Sequence, residues 1–469
     1  MKRSLIFIVL VFICVSVFSA QKKKSGADSG PPKNSRGLFT GFNGTQGDPN
    51  SEKKTGYTLK KILLKVLNQA PILASAKAAE AAYRAKIKQI KAERNPTLSI
   101  TAGGSPIFHA PSSSEIDMTK WGVAGSASLS LNIPLYTFGR IPKALKAARS
   151  GLKVQRINTT SARDDLIFEI KKYYYGYLYA ISIKKYIIEI AMSKVDKALD
   201  KTEKDYKKGK IKKKSLYSLR IMKMNLLSIQ ASIDKNIDIA ETAFKTFLGI
   251  PAKGIFKVQD DKIIDKDVVL KPLNYYIKLA FRKNTQYRKA IYGLAARQAL
   301  YEYEKTKLNP IFVAIMRASA SGYTENIDAS WIISNDVSFY IGFGIRYSTQ
   351  FGKQGHVIDE KKALFVELAE KVKMLKKKLP IDVKKAYLDV IEARKVMEYR
   401  RKAFLSGKRW MMHTYRMFLF ESATSDELRS GLNAYINTRR SYFGSIYNYY
   451  ITIAELSKIV GTKIDFRTY

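Results

Sequence analysis

Two stretches of the chain alternate between oily residues and small or polar ones, the pattern of a β-strand with two unlike faces. Between positions 121 and 135 every odd residue is apolar or small, and the even positions include glycine, serine and asparagine. Residues 336–349 repeat the pattern. The first run exceeds the usual strand of about 5–6 residues and suits a membrane strand, which needs about 9–11. The residues predicted to face lipid are Trp121, Val123, Leu129, Leu131, Ile133, Val337, Phe339, Ile341, Phe343 and Ile345.

Each of these runs has a partner nearby in the sequence. Residues 97–108 alternate similarly, whereas residues 311–322 are less regular because both of their alternating sets are apolar. Exposed loops are expected at about 105–120 and 321–336. The strands of a soluble β-sandwich would also alternate between apolar and polar residues. The length of the run at 121–135 favours the membrane interpretation.

Four strands are too few to close a membrane barrel, since the smallest contain about eight. Open sheet edges are not tolerated in lipid, because their backbone groups would lack hydrogen-bond partners. If the strands lie in a membrane, several copies of the chain must share one barrel. The pattern therefore predicts a homo-oligomer.

Long helices account for most of the remaining chain. A helix over residues 143–208 would contain 66 residues and measure about 100 Å. Apolar residues recur at the three- and four-residue spacing of a coiled coil at Leu166, Ile170, Tyr173 and Tyr177. A second run of apolar residues with this spacing follows a break near Gly209. Pro380 is expected to kink or break the later long helix. A coiled-coil rod would show the same helical pattern.

The chain contains an internal duplication. Residues 59–96 match residues 273–310 at an offset of 214, and both stretches end in Asn-Pro. Phe138-Gly139-Arg140 matches Phe351-Gly352-Lys353 at an offset of 213. Each repeat is predicted to run helix, strand, strand, helix, helix. The predicted boundaries are 57–256 for the first repeat, 257–271 for a linker, 272–462 for the second repeat and 463–469 for a tail.

Residues 1–20 have the features of an export signal: Lys2 and Arg3 precede an apolar run that ends near Ser19-Ala20. A retained anchor, and lipid attachment at Cys14, are the alternatives. Residues 21–56 are predicted to be flexible because they are rich in glycine, serine, proline and lysine. After cleavage no cysteine would remain for a disulfide.

The charge balance is strongly basic, with 83 Lys and Arg against 40 Asp and Glu and a net charge of +43. Nucleic-acid binding is one interpretation, but no recognition motif accompanies the charge and export argues against it. A lysine-rich solvated surface on long helices is favoured. His109, His356 and His413 are isolated and no catalytic, cofactor or metal motif is found, so no enzyme activity is expected.

The doubled order of elements resembles the TolC-type outer-membrane efflux family over roughly residues 57–462. Two local patterns support the resemblance. One is the strand-to-helix junction at residues 134–140, and the other is Tyr206-x-x-Gly209 followed by Leu216 and Leu219. The resemblance implies an α+β membrane protein in which a homotrimer shares a twelve-stranded β-barrel continued by periplasmic helical coiled coils.

The family resemblance also implies a function and partners. The trimer would be a passive exit duct in the outer membrane for efflux or type I secretion, meeting a periplasmic adaptor protein and an inner-membrane transporter. The alternatives are an exported coiled-coil structural or adhesion protein without a pore, and a basic nucleic-acid binder if the export signal is misread.

Family members often carry acidic residues at a narrow periplasmic aperture, and the matching stretch here is 417–429. The aperture candidates are Asp426, Glu427 and Arg429, with Arg429 standing where a second acid is common. Phe420 replaces the glycine of that turn. We expect the first repeat's turn to be solvated or to contact the adaptor or anionic cargo. Its candidate residues are Lys207, Lys208, Gly209, Lys210, Lys212, Lys213 and Lys214.

Overall fold

The computed structural model describes residues 56–108, 121–327, 330–348 and 352–464. Outside these ranges lie the predicted signal at 1–20, the segment at 21–56 apart from Gly56, and residues 465–469 of the predicted tail. Cys14 and His109 also lie outside them. The described chain divides into two compact units. A strand unit comprises residues 88–143 and 303–356, and a helical unit comprises residues 56–87, 144–302 and 357–464.

The same succession of elements occurs twice along the chain. The first runs α1 (Leu59–Gln69), α2 (Pro71–Ala92), β1 (Thr97–Phe108), β2 (Trp121–Tyr136), α3 (Arg140–Ile183), α4 (Glu189–Lys207) and α5 (Lys213–Leu248). The second runs α6 (Leu273–Lys283), α7 (Thr285–Thr306), β3 (Ile311–Ile327), β4 (Ser330–Arg346), α8 (Lys353–Leu419) and α9 (Ser425–Val460).

Glycines in the left-handed conformation stand at matching positions of the two successions. Gly139 and Gly352 precede α3 and α8 with φ of 80° and 81°. Gly249 and Gly461 end α5 and α9 with φ of 66° and 73°. A residue with a Cβ would be strained in this conformation, so glycine is favoured at these four positions.

The four strands form one antiparallel sheet in the order β1-β2-β3-β4. Leu131 of β2 lies opposite Leu98 of β1 and Met316 of β3, and Met316 lies opposite Ile341 of β4. Residues that pair directly across strands share a face. The register therefore resolves β3, whose sequence was ambiguous: Met316 and its alternate neighbours belong to the oily face.

The strands and helices differ from the sequence prediction in several bounds. The loop predicted at about 321–336 is wrong, because β3 and β4 stay paired through Tyr323 and Ser334 as far as Ile327 and Ser330. This stretch includes Tyr323, Thr324, Trp331 and three isoleucines, residue types that favour strand. β1 ends at Phe108, and β4 ends at Arg346 rather than 349. The helix predicted over 143–208 is interrupted by a π-helical turn at Lys184–Ile188.

The break proposed at Pro380 is wrong, since α8 continues through it. Proline removes one backbone hydrogen bond, but the flanking Leu379 and Val383 are buried. Their packing supports the helix locally. The core of the helical unit also includes the fully buried Phe244 and Tyr449. Among the described residues, no helix is long and apolar enough to cross a membrane.

Candidate functional site

The oily face of the sheet is exposed in this chain. All ten residues predicted to face lipid lie on it, and eight are exposed, whereas Leu131 and Ile133 are half-buried. Phe339 and Phe343 expose 70% and 81% of their surface. Exposed apolar area on this scale marks a surface covered by lipid or a partner.

The opposite face of the sheet is polar. Ser319 and Ser338 share a hydrogen bond of 2.7 Å across β3 and β4. Arg346 donates to the side-chain oxygen of Asn132 at 2.9 Å. Neighbouring positions on this face of β1 are Thr97, Ser99 and Thr101. The sheet thus has one apolar face and one polar face.

The helical unit carries two turns, between α4 and α5 and between α8 and α9, which we call the tip turns. In the first, Gly209 has φ of 73°, and the backbone N–H of Lys210 bonds to the carbonyl of Asp205 at 2.9 Å. All six lysines predicted at this turn are exposed. The Tyr217 hydroxyl holds the pKa of Lys213 above its usual range through a hydrogen bond.

Asp426 joins the two tip turns. Its carboxylate accepts a hydrogen bond from the Ser218 hydroxyl at 3.0 Å and lies 3.7 Å from the Lys214 ammonium. Arg429 lies 3.6 Å from it on the same helix. The Ser218 hydrogen bond, followed by the charges of Lys214 and Arg429, lowers the pKa of Asp426 below its usual 3.8. This predicted aperture residue is therefore a partnered carboxylate.

Glu427 caps helix α9. Its carboxylate accepts the Thr424 backbone N–H at 2.7 Å, and its own N–H donates to the Thr424 hydroxyl at 3.2 Å. This reciprocal pair is a capping box, which satisfies two backbone donors at the start of the helix. The Thr424 hydrogen bonds lower the pKa of Glu427. The Glu427 carboxylate is thus engaged in capping the N-terminus of α9.

Lys201 also connects the tip turns, and the sequence analysis missed it. Its ammonium donates to the carbonyls of Leu419 and Phe418 at 2.8 and 3.1 Å and lies 3.7 Å from the Glu421 carboxylate. These carbonyls belong to the last turn of α8, where a cation is favourable. No local motif marks Lys201, because its partners lie more than 200 positions away. Phe420 is 78% exposed at the same turn.

Helices α8 and α9 approach closely near the tip. A Cβ at Gly431 would lie 2.1 Å from the Thr414 hydroxyl oxygen, and one at Gly407 would lie 2.4 Å from that of Thr438. Both distances are far inside van der Waals contact, so only glycine fits here without movement. Beside this contact lies a cleft of about 500 Å³ whose lining includes His413 and Asp426.

Four aspartates hold residues 256–270, which we call the strap, against the helices. Asp260 accepts from Tyr174 of α3, and Asp261 lies 2.8 Å from Lys185. Asp265 accepts from Tyr442 at 3.0 Å, and Asp267 accepts from Arg394 at 2.5 Å. The strap therefore ties helices of the first succession to helices of the second. The sequence analysis treated this segment as a linker.

Buried tyrosines of the helices contact the strap. The Tyr449 hydroxyl donates to Asp267 at 3.3 Å and accepts the Val268 backbone N–H at 3.3 Å. Burial, followed by the charge of Asp267, raises the pKa of Tyr449 to about 12. Burial is also the first cause of the raised pKa values of Tyr174, Tyr442 and Tyr450. Among the described residues, no three acidic, His or Cys side chains are arranged to hold a metal ion.

Comparison with known proteins supports the resemblance noted in the sequence. Residues 62–215 match the family described as outer membrane efflux protein, and no curated protein sequence matches the chain. The solved channel CusC is 15% identical, with a TM-score of 0.70 over 86% of this chain and 92% of CusC. VceC of Vibrio cholerae is 14% identical, with a TM-score of 0.66 over 87% and 97% of the two chains.

A third solved structure, the outer membrane channel CmeC of Campylobacter jejuni, is 14% identical, with a TM-score of 0.69 over 86% and 85% of the two chains. At such identities the likeness establishes the fold. The predicted resemblance to TolC-type proteins and the α+β fold class are confirmed. The comparisons leave the roles of individual residues as predictions.

Proposed function

We propose that this chain, which has the fold of the TolC-type outer-membrane channels, is one subunit of a homotrimeric outer-membrane channel. The trimer would be a passive exit duct for efflux or type I secretion, with its helices in the periplasm. Energy would come from an inner-membrane transporter, which the duct meets through a periplasmic adaptor protein.

The observation that carries this proposal is the open, two-faced sheet. One face is oily on all four strands, and β1 and β4 are the edge strands of the sheet. In lipid, unpaired edges leave backbone donors and acceptors without partners, each at a cost of several kcal/mol. Pairing β4 of one copy with β1 of the next removes every edge. Three copies would give twelve strands, with the polar faces lining the pore.

The tip turns are the proposed periplasmic end of the duct. Asp426, Glu427 and Arg429 would lie at its aperture, where Asp426 acts as a link between turns. The exposed lysines of the first turn, together with Phe420, would contact acidic groups of the adaptor. A cluster of like charges raises the association rate with an oppositely charged surface in a salt-dependent way.

The lysine proposal is tested by replacing the six lysines with glutamine in the full chain. Adaptor binding should weaken, and the difference from the parent chain should shrink at high salt. A matched control replaces six exposed lysines on the body of α8 and should bind normally. Unchanged adaptor binding and export in the tip variant would refute this contact.

The channel itself is tested by single-channel recording of the detergent-extracted protein in a planar bilayer, with its native mass measured in parallel. Discrete conducting steps from a species of three chains are expected, together with recovery in the outer-membrane fraction. A soluble rod that never inserts would refute the duct and support the coiled-coil protein without a pore.

A further inference from the structure

We infer that β4 of one copy pairs with β1 of the next in a single register, in which Gly344 lies opposite Gly103 of the next copy. We call this junction between copies the seam. The inference rests on the proposed function, because the two edge strands meet only when copies share a barrel. It deepens that proposal by naming the residues through which a second copy of the chain is recognised.

The two hairpins of the sheet have the same register at equivalent positions. Thr97 lies opposite Asn132 in the first hairpin, and Ile311 lies opposite Arg346 in the second. Each residue of the second pair follows its counterpart in the first by 214 positions, which is the offset between residues 59–96 and 273–310 of the duplication. The strands of the second repeat are therefore equivalent, residue by residue, to those of the first.

The pairing of β2 with β3 shows how one hairpin joins the next. Ser130 of β2 lies opposite Arg317 of β3. At the seam, β4 and the next β1 are again the second strand of one hairpin and the first strand of another. The equivalent of Ser130 in β4 is Gly344, and the equivalent of Arg317 in β1 is Gly103. If every hairpin joins the next in the same way, these two glycines lie opposite each other across the seam.

The two faces of the sheet exclude half of the other registers. Gly344 and Gly103 both lie on the polar face, whereas Ile345 and Ala102 both lie on the oily face. Slipping one strand by a single residue would move its oily side chains to the polar face. Only registers that differ by an even number of residues remain, and the equivalence of the two repeats selects one of them.

The edge side chains also fit this register in size. Phe343 and Ile345 of β4 expose 81% and 63% of their surface on the oily face. In the inferred register they lie opposite Gly104 and Ala102 of the next copy. An edge glycine leaves its backbone uncovered, and an aromatic side chain on the neighbouring strand can cover it. The seam thus places large exposed side chains of one copy over small residues of the next.

A disulfide across the seam distinguishes this register from its neighbours. Disulfides form when the Cα atoms are about 4.4–6.8 Å apart. Residues directly opposite in an antiparallel pair have Cα atoms about 4.5–5.5 Å apart, whereas partners displaced by two residues are about 7–8 Å apart. Within one chain, β1 and β4 are the outer strands of the sheet, about 14 Å apart at three strand spacings. A disulfide between them therefore reports a contact between copies.

The inference is tested in the full chain by oxidising the double variant Gly344→Cys with Gly103→Cys and separating the products on a non-reducing gel. A Cβ at either glycine meets no atom within 4 Å, so the chain accommodates both substitutions. Linked dimers and trimers should form at least about fivefold faster than in the controls. The matched controls combine Gly344→Cys with Thr101→Cys or with Ser105→Cys, each displaced by two residues on the same face.

A second pair, Ile345→Cys with Ala102→Cys, tests the same register on the oily face. Successive opposite pairs of an antiparallel ladder alternate between closer and wider Cα spacing, so one of the two tested pairs has the closer spacing. Variants with one introduced cysteine control for links to Cys14, the one cysteine of the sequence.

Fastest linkage at the inferred pairs, in protein with the native mass of three chains, supports the register. Fastest linkage at a displaced pair overturns it and leaves the channel proposal intact. A conducting trimer in which none of these pairs links also overturns it. A chain that stays monomeric and never conducts refutes the proposed function, and the inference with it.

Discussion

The hydroxyl of Ser218 donates a hydrogen bond of 3.0 Å to the carboxylate of Asp426, although the two residues lie 208 positions apart. This bond connects the first turns of α5 with the first turn of α9. It joins the two tip turns at the proposed periplasmic end of the duct. A carboxylate held in this way titrates differently from a free one, which makes the contact measurable.

We predict that Asp426 stays ionised to an unusually low pH. Its folded pKa lies below the usual 3.8, first because of the Ser218 hydrogen bond and then because of Lys214 and Arg429. A lowered pKa means that the ionised contact contributes fully above pH 3.8 and is lost only as the pH falls through the folded value. Carboxyl NMR of aspartate-labelled protein, assigned with Asp426→Asn, measures the midpoint.

The Ser218→Ala variant should raise that midpoint toward the usual value, since the largest cause of the shift is gone. Ser215→Ala, which removes a hydroxyl on the same helix, should leave it where it is. An Asp426 midpoint insensitive to Ser218→Ala would show that the hydroxyl does not hold the carboxylate.

We predict that Gly431→Ala destabilises the packing of α8 against α9. The added Cβ would lie 2.1 Å from the Thr414 hydroxyl oxygen, and such overpacking typically costs about 1–3 kcal/mol. Hydrogen exchange of residues near Gly431 and Thr414 measures the loss of local protection. Adding Thr414→Ala should restore part of it.

Gly355→Ala is the matched control for this change. Gly355 is also helical, but a Cβ there meets no atom within 4 Å. Because alanine favours helix over glycine by about 1 kcal/mol, this variant should be neutral or slightly stabilised. Equal destabilisation by both substitutions would contradict the close-approach explanation.

We predict that the helical unit loses stability in alkali as the strap tyrosines ionise. Tyr449 has its pKa raised from the usual 10 to about 12, first by burial and then by Asp267. A raised pKa means that its contribution is complete below pH 10 and is lost as the pH rises through the folded value. Tyrosinate absorbance and circular dichroism should therefore change together above pH 10. Ionisation of the strap tyrosines at the usual pH of tyrosine, while the protein stays folded, would contradict this prediction.

We predict that Tyr449→Phe weakens the strap at neutral pH. The substitution removes the hydroxyl donor to the Asp267 carboxylate, whereas the backbone N–H of Val268 keeps its bond of 2.8 Å to that carboxylate. A hydrogen bond to a charged group contributes about 1.5–3 kcal/mol. Hydrogen exchange across residues 260–270 should report faster local opening. Tyr217→Phe, at an exposed tyrosine, is the control and should leave that segment protected.

We predict that neighbouring residues of β4 differ sharply in their tolerance of charge. Phe339→Arg places a charge on the oily face and should cost about 2–4 kcal/mol if it lies near the bilayer centre. Ser338→Arg, one position away on the polar face, should insert normally because its side chain would face the pore. Folding into lipid vesicles at increasing urea measures both. Equal impairment of the two variants would argue against the assigned faces.

The alternation at Ser338 and Phe339 could be read from the sequence because the two faces of a strand follow from a period of two residues, which is a local property. The glycines that begin and end the long helices could be found for a related reason. Their left-handed backbone is a local requirement, and it recurs at offsets of 213 and 212 in the repeat. The order of helices and strands, and hence the α+β class, followed from such local patterns.

The tertiary structure decided what local patterns leave open. Met316 could belong to either face until the register placed it between Leu131 and Ile341. Asp267 looked like a linker acid until it contacted Arg394 and Tyr449, and Asp426 looked like a free aperture charge until Ser218 reached it. Such partners come together because packed helices and paired strands set the distances between residues remote in sequence, and no local spacing encodes those distances.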